Sequence, residues 1–67
     1  MQDLVKIAID AMGGDNSPKK IIDGILLNHK SNKGVFYKIF GNETEITKLV
    51  KDKMDKKYYE IIHTKRR

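Results

Sequence analysis

The chain has 67 residues, of which 39% are hydrophobic and 34% are charged, with no cysteine and a formal net charge of +5. That length allows one small domain, and the lack of cysteine excludes a disulfide framework and a cysteine-ligated metal site. The sequence has neither a membrane-spanning apolar stretch nor the basic-then-apolar start of a secretion signal. We therefore expect a soluble, cytoplasmic protein.

The first half of the chain predicts a strand followed by a helix. Residues 4–10 (LVKIAID) are rich in β-branched side chains and too short for a helix, which is typical of a strand. Ser17 followed by Pro18 is typical of a helix start, with serine as the N-cap and proline at the first position. The apolar stripe of this helix extends to about His29 and consists of Ile21, Ile22, Ile25 and Leu26.

The second half predicts a strand, a helix and a third strand. Residues 35–40 (VFYKIF) form the second strand, and residues 58–63 (YYEIIH) form the third. Between them, Asn42 and Glu45 have the spacing of a capping box at the start of the second helix. The apolar stripe of that helix consists of Ile46, Leu49, Val50 and Met54.

The predicted order is β-α-β-α-β, and helical connections of this length imply parallel strands with right-handed crossovers. Alternate positions of the first two strands form an apolar set: Val5, Ile7, Ile9, Val35, Tyr37 and Ile39. Two helices on that face leave the other face uncovered, with Leu4, Ala8, Phe36, Phe40, Tyr58 and Ile62 in water. Since parallel sheets are normally covered on both faces, the chain is expected to be half of a doubly wound, three-layer α/β sandwich.

The loop between the first strand and the first helix is the candidate functional site. In an open parallel sheet, ligands bind outside the carboxyl ends of the strands. Gly13 and Gly14 allow the backbone to turn and approach a ligand closely, and the helix start favours an anion such as phosphate. Asp10 and Asp15 would repel that anion unless they orient the backbone or have a partner.

A purely structural interpretation of the same loop stays open. The dinucleotide fingerprint G-x-G-x-x-G and the phosphate-loop pattern G-x-x-x-x-G-K-[ST] are both absent. A tight turn from strand to helix, capped locally by Asp15 or Asn16, accounts for the same residues. The residues alone therefore do not decide between an anion site and a turn.

The run AIDAMGGD at residues 8–15, followed by Pro18, resembles the signature of the PlsX-type phosphate acyltransferases of bacterial phospholipid synthesis. The resemblance continues with Gly24 in the first helix, Gly41 after the second strand and IIHT at residues 61–64. It covers nearly the whole chain. It implies a doubly wound sandwich related to phosphotransacetylases and isocitrate-type dehydrogenases.

The resemblance also implies a reaction and its partners. The family transfers a fatty acyl group from acyl carrier protein to inorganic phosphate, which gives acyl phosphate and free carrier protein. That chemistry requires an anion cradle, a stabiliser for the oxyanion and good orientation of two reactants, but no metal or cofactor. The resemblance further implies a cytoplasmic homodimer with no nucleic-acid partner, and peripheral membrane association for the full-length protein.

The positions of the motif residues imply their roles in that reaction. Gly13 and Gly14 would supply backbone N–H groups to phosphate or to the thioester oxygen, and Asp15 would be the catalytic carboxylate. Asp10 and Ser17 would orient the loop and fix the helix start. His63 and Thr64, at the end of the third strand, lie on the same side of the sheet, where a histidine is more commonly structural than a base.

Members of this family are several times longer than 67 residues. We therefore expect the chain to be a single N-terminal piece of a larger α/β domain with a basic tail at residues 65–67, which resembles a shifted frame or a premature stop more than the family's continuation. A site assembled from several strand ends would then be incomplete, so we expect the chain to be inactive by itself. The alternative is a truncated, non-enzymatic remnant that binds anions weakly.

Two further alternatives follow from single features. Asp10 at a strand end is typical of a phosphoryl-transfer nucleophile, but Met12 replaces the second carboxylate of the usual D-x-D pattern for magnesium. The lysine-rich surface and the net charge of +5 suit a nucleic-acid-binding protein, but no aromatic residues are interleaved with the lysines to stack on bases.

Overall fold

A computed structural model describes residues 3–12 and 18–64 of the chain. In these residues the order of elements is β1 (Val5–Asp10), α1 (Pro18–Ser31), β2 (Val35–Gly41), α2 (Glu43–Val50) and β3 (Tyr59–His63). A single 3₁₀ turn, Lys56–Tyr58, precedes β3. The predicted β-α-β-α-β arrangement is confirmed.

The three described strands form one parallel sheet in the order β1-β2-β3. The register places Val5 opposite Val35 and Tyr37 opposite Tyr59. Because both pairings are parallel, β1, β2 and β3 all end at the same edge of the sheet. This edge is called the carboxyl edge below.

The core lies between one face of the sheet and the two helices. Every second residue of β2, from Val35 to Gly41, is buried. The largest side chains with no exposed surface are Ile22 of α1, Ile39 of β2, and Ile46 and Val50 of α2. Burying such a side chain contributes about 1.5–3 kcal/mol, so these four residues hold the helices on the sheet.

α1 begins at Pro18, as the Ser-Pro sequence predicts. Ser17, the predicted N-cap, lies outside the described residues. On the side that packs on the sheet, the Asn28 side-chain amide donates a hydrogen bond of 2.7 Å to the Tyr37 hydroxyl, which satisfies a polar group of a residue that is only 2% exposed. Neither described helix has the length and apolar character needed to cross a membrane.

The chain after α2 differs from the sequence-based prediction. α2 ends at Val50, since Lys51 already has a non-helical ψ of 131° and Asp52 then adopts a left-handed backbone with φ of 62°. Met54 therefore lies beyond the helix, although it is buried as predicted. Tyr58 belongs to the 3₁₀ turn instead of the strand, and its ring lies 4.6 Å from the ring of His29.

The other face of the sheet is covered less completely. Of the residues expected in water on this face, Ala8 is exposed, but Leu4, Phe36, Phe40 and Ile62 are half-buried. Lys38 and Glu60, which are neighbours in the register, approach each other across this face at 3.8 Å. Both side chains are well exposed, so this pair contributes little to stability.

Candidate functional site

The carboxyl edge brings the ends of all three described strands together. The N–H group of Ala11 donates to the carbonyl of Phe40 at 2.8 Å, and the N–H group of Thr64 donates to the carbonyl of Gly41 at 3.0 Å. The hydrogen bonds between strands therefore continue one residue past β1 and β3. This fixes where the following segments begin.

The chain leaves β1 through a local turn. Asp10 is the last residue of β1, and its carboxylate Oδ1 accepts a hydrogen bond of 3.0 Å from the N–H group of Met12. Ala11 between them is fully buried. An aspartate bonded to the backbone two residues on is a local turn motif, so the carboxylate of Asp10 holds the direction in which the chain departs toward residue 13.

The remaining predicted site residues are Gly13, Gly14, Asp15 and Ser17. All four lie outside the described residues, and their predicted roles remain predictions. The described parts on either side of them end at Met12 and resume at Pro18, the first residue of α1. The structure thus places the start of this loop at the carboxyl edge of the sheet.

Gly41 at the end of β2 makes the close packing of this edge possible. A Cβ atom at Gly41 would lie 2.8 Å from Met12 Cγ and 2.8 Å from Ile46 Cδ1. Real Cβ atoms do not approach other carbons that closely, so a larger residue here would force the Met12 and Ile46 side chains to shift. The resemblance drew attention to this glycine, but the sequence did not reveal its packing role.

Two side chains satisfy the N-terminus of α2. Asn42 is the N-cap, and its Oδ1 accepts the N–H group of Glu45 at 3.0 Å, as predicted from the Asn42 and Glu45 spacing. The Nδ1 atom of His63, from the end of β3, accepts the N–H group of Glu43 at 3.1 Å. These two N–H groups at the start of α2 are therefore already bonded within the fold.

Thr64 adds an unused polar group at this edge. Its Oγ1 atom is buried and has no hydrogen-bond partner among residues 3–12 and 18–64. A hydroxyl group in this state costs free energy unless something else bonds to it. The sequence placed Thr64 on the ligand side of the sheet, but no sequence signal indicated that its hydroxyl would be unpaired.

The opposite edge of the sheet carries a second feature, an open cleft of about 890 Å³ between α1 and residues 52–58. His29 lines this cleft, is only 7% exposed, and packs on Tyr58. Burial, with a smaller contribution from the charge of Lys33, lowers the pKa of His29 below its ordinary value of 6.5. His29 follows Ile22 and Ile25 at helical spacing and continues the buried stripe of α1. This spacing is the sequence signal that indicates its burial.

Two side chains at the carboxyl edge, Asp10 and His63, bond to backbone N–H groups. Within residues 3–12 and 18–64, no cluster of three or more histidine, aspartate or glutamate side chains could hold a metal ion. The two bonds fix the direction of the chain after β1 and the start of α2 beside the end of β3.

Comparison with known proteins gives consistent matches over almost the entire chain. Residues 5–66 match the family model described as "Fatty acid synthesis protein". The chain is 54% identical over 65 residues to a phosphate acyltransferase of Pelagibacter ubique, an alignment that covers 97% of this chain and 19% of that protein. Phosphate acyltransferases of Enterococcus faecalis and Listeria monocytogenes are 42% and 45% identical over 60 residues, which is 90% of this chain and 17% of each relative. The chain therefore spans less than a fifth of the length of these relatives.

Proposed function

This chain belongs to the fatty acid synthesis protein family, and we propose that it supplies a βαβαβ segment of a phosphate acyltransferase. The proposal rests most heavily on the 54% identity to the Pelagibacter ubique phosphate acyltransferase, which extends over all five elements of the fold. The proposed reaction moves a fatty acyl group from acyl carrier protein to inorganic phosphate. The products are acyl phosphate and free carrier protein.

The proposed chemistry is an attack of phosphate on a thioester. A phosphate oxygen forms a bond to the thioester carbonyl carbon, the carbon–sulfur bond breaks, and the proton of hydrogen phosphate ends on the carrier-protein thiol. The negative charge that develops on the carbonyl oxygen needs hydrogen-bond donors that are already in place. Orientation of the two reactants supplies much of the remaining acceleration.

The loop after β1 is assigned the central roles in this proposal. Gly13 and Gly14 give their N–H groups to phosphate or to the thioester oxygen, and Asp15 accepts the proton of hydrogen phosphate. Asp15 then passes this proton to the departing thiolate, so that it ends on the carrier-protein thiol. The hydrogen bond that precedes the transfer makes the carboxylate a partner for phosphate where it would otherwise repel it. Asp10 holds the exit from β1 through its 3.0 Å bond to the Met12 N–H group, and Ser17 fixes the start of α1.

The proposal extends to partners and location. Inorganic phosphate and acyl carrier protein are the substrates, the complete protein is a cytoplasmic homodimer, and nucleic acid is not a partner. Any peripheral contact with the membrane belongs to the complete protein. Because the 67 residues correspond to less than a fifth of the relatives, we propose that they have no transacylase activity by themselves.

The test is a chimera in which these residues replace the matching segment of the Pelagibacter ubique enzyme. The assay follows phosphate-dependent release of carrier-protein thiol, together with capture of the acyl phosphate by hydroxylamine. We expect the chimera to be active and Asp15→Asn to lower kcat on the order of 10²-fold, the usual size of a proton-transfer contribution. Asp23→Asn is the matched control, because Asp23 is an exposed carboxylate on α1 that pairs with Lys19.

Two outcomes would contradict this proposal. A folded chimera without phosphate-dependent thiol release would contradict the proposed reaction. Equal activity of the Asp15 and Asp23 variants would contradict the proposed role of Asp15. If the chimera is inactive while phosphate shifts the amide resonances of residues 13–15 in the 67-residue chain, the alternative of a non-enzymatic remnant that binds anions would stand instead.

A further inference from the structure

The ring of His63 is oriented by a hydrogen bond. Its Nδ1 atom lies 3.1 Å from the backbone nitrogen of Glu43, and a backbone N–H group can only donate. Nδ1 is therefore the acceptor in this contact. The contact leaves Nε2 as the ring nitrogen that presents a proton to other groups.

The position of the ring is fixed from two sides. His63 is the last residue of β3 and pairs with Gly41 in the register, and the next residue, Thr64, donates its N–H group to the Gly41 carbonyl at 3.0 Å. The Glu43 N–H group that holds Nδ1 belongs to the first turn of α2, which Asn42 caps. Sheet and helix together place this side chain, so little reorganisation is needed when a ligand arrives.

His63 links β3 to α2 through its hydrogen bond, and its side chain is also accessible to a ligand. The His63 side chain is exposed, although its backbone belongs to the sheet. It lies at the same edge as Asp10, where the loop of residues 13–17 begins. The adjacent Thr64 hydroxyl is buried and has no hydrogen-bond partner in the described part of the chain.

We propose that His63 is a catalytic residue that donates its Nε2–H group to an anionic oxygen of the reactants. This inference rests on the proposed acyl transfer and adds a donor to it from a different strand. The oxygen belongs either to phosphate or to the thioester carbonyl as it becomes an oxyanion. An imidazole that is oriented through its Nδ1 atom presents its Nε2–H group as a donor for either.

Substitutions can test the roles of the two ring nitrogens of His63 separately. Asparagine places its side-chain oxygen near the position of Nδ1, so His63→Asn keeps an acceptor for the Glu43 N–H group but removes the Nε2 donor. Glutamine places its amide nitrogen near the position of Nε2, so His63→Gln keeps a donor. His63→Ala removes both groups.

The variants are measured in the chimera with the Pelagibacter ubique enzyme. We expect His63→Asn to lower kcat/KM on the order of 10²-fold, as for the loss of an oxyanion donor, with a Tm close to that of the parent. His63→Gln should recover part of the loss, and His63→Ala should lose both activity and Tm. A higher KM for phosphate at unchanged kcat would assign the contact to phosphate, and a lower kcat would assign it to the thioester oxygen.

The matched control is the other histidine. His29→Gln alters the cleft at the opposite edge of the sheet, so we expect its kcat/KM to match that of the parent at a temperature where both are folded. Parental activity in His63→Asn would overturn the inference. So would activity losses that follow the Tm of the three His63 variants instead of the presence of a donor.

A measurement independent of turnover completes the test. The ¹⁵N resonances of histidine-labelled chimera, assigned by comparison with His63→Asn, should show His63 with its proton on Nε2, and a proton on Nδ1 would overturn the inference. A folded but inactive parent chimera would remove the proposed function and this inference with it. An active parent with an unaffected His63→Asn variant would remove this inference alone.

Discussion

β1 and β2 have similar alternating sequences and very different surroundings. Val5 and Ile7 of β1 are 63% and 39% exposed, whereas their register partners Val35 and Tyr37 of β2 are 6% and 2% exposed. Alternation determines which face of the sheet a side chain occupies. Burial depends on the position of the strand in the sheet and on the helix above it, which the strand's own sequence does not contain.

The largest expected effect tests this difference directly. Ile39 of β2 is fully buried, so Ile39→Ala should destabilise the fold by about 2–5 kcal/mol. That is comparable to the ~3–5 kcal/mol available to a domain of this size, and we expect the variant to be largely unfolded. Ile7→Ala should cost about 1 kcal/mol. Urea denaturation followed by far-ultraviolet circular dichroism measures both.

The comparison between these strands would fail if the two alanine variants were equally stable. Such a result would mean that the apolar side chains of β1 are covered as fully in solution as those of β2.

The second prediction concerns the place where the ends of β1 and β2 meet. Gly41→Ala would bring a Cβ atom within 2.8 Å of Met12 and Ile46, so we expect a loss of about 1–3 kcal/mol from overpacking. Gly24→Ala is the matched control, because a Cβ atom there meets nothing within 4 Å. In the interior of α1 it should stabilise the chain by about 0.5–1 kcal/mol. Effects of the same sign in both variants would contradict the tight packing at Gly41.

A third, smaller effect is expected just beyond β2. Asn42→Ala removes the oxygen that accepts the Glu45 N–H group and should cost about 0.5–2 kcal/mol. Thr44→Ala, on an exposed position of the same helix, should not lower the stability. Urea midpoints of the two variants separate capping from helix propensity, and a loss in Thr44→Ala equal to that in Asn42→Ala would argue against a specific cap.

The smallest expected effect is a dependence of stability on pH that arises from His29 on α1, the helix that packs on β2. Because burial lowers the pKa of His29 below 6.5, the folded state binds this proton less readily than the unfolded chain. The contribution is fully present above pH 6.5 and is lost progressively as the pH falls below that value. His29→Phe should flatten this part of the profile in a series of urea titrations. The parent and the His29→Phe variant both contain His63. Identical dependences of their stability on pH would therefore show that His29 does not contribute.

The order and type of the elements could be predicted from the sequence because the signals are local. Ser-Pro, the β-branched runs and the spacing of Asn42 and Glu45 each act within a few residues. The end of α2 was missed because Lys51 and Asp52 leave the helical conformation inside a run whose apolar spacing is helical. Tyr58 was assigned to a strand because its aromatic ring suits a strand, whereas its contact is with His29, a residue 29 positions earlier.

The candidate site was predictable only in part, because some of its contacts join residues that are distant in the sequence. The loop after β1 could be found because glycines and carboxylates are adjacent in the sequence. The bond between His63 and Glu43 joins residues 20 positions apart and depends on the register of β3 beside β2. Likewise, the approach of Met12 to Gly41 arises only when both strands are in place. Contacts of this kind follow from the assembled sheet and not from any single segment.

The order of the strands in the sheet also bears on how the protein is made. In the described part of the chain, β1 pairs with β2 and β2 pairs with β3, so spatial order follows sequence order. As the polypeptide leaves the ribosome, β1, α1 and β2 contain a complete parallel pair before β3 has been translated. Although domains generally fold as units, each later strand here adds to an existing edge without displacing an earlier one. Synthesis in sequence order therefore never requires a described strand to be inserted between two that are already paired.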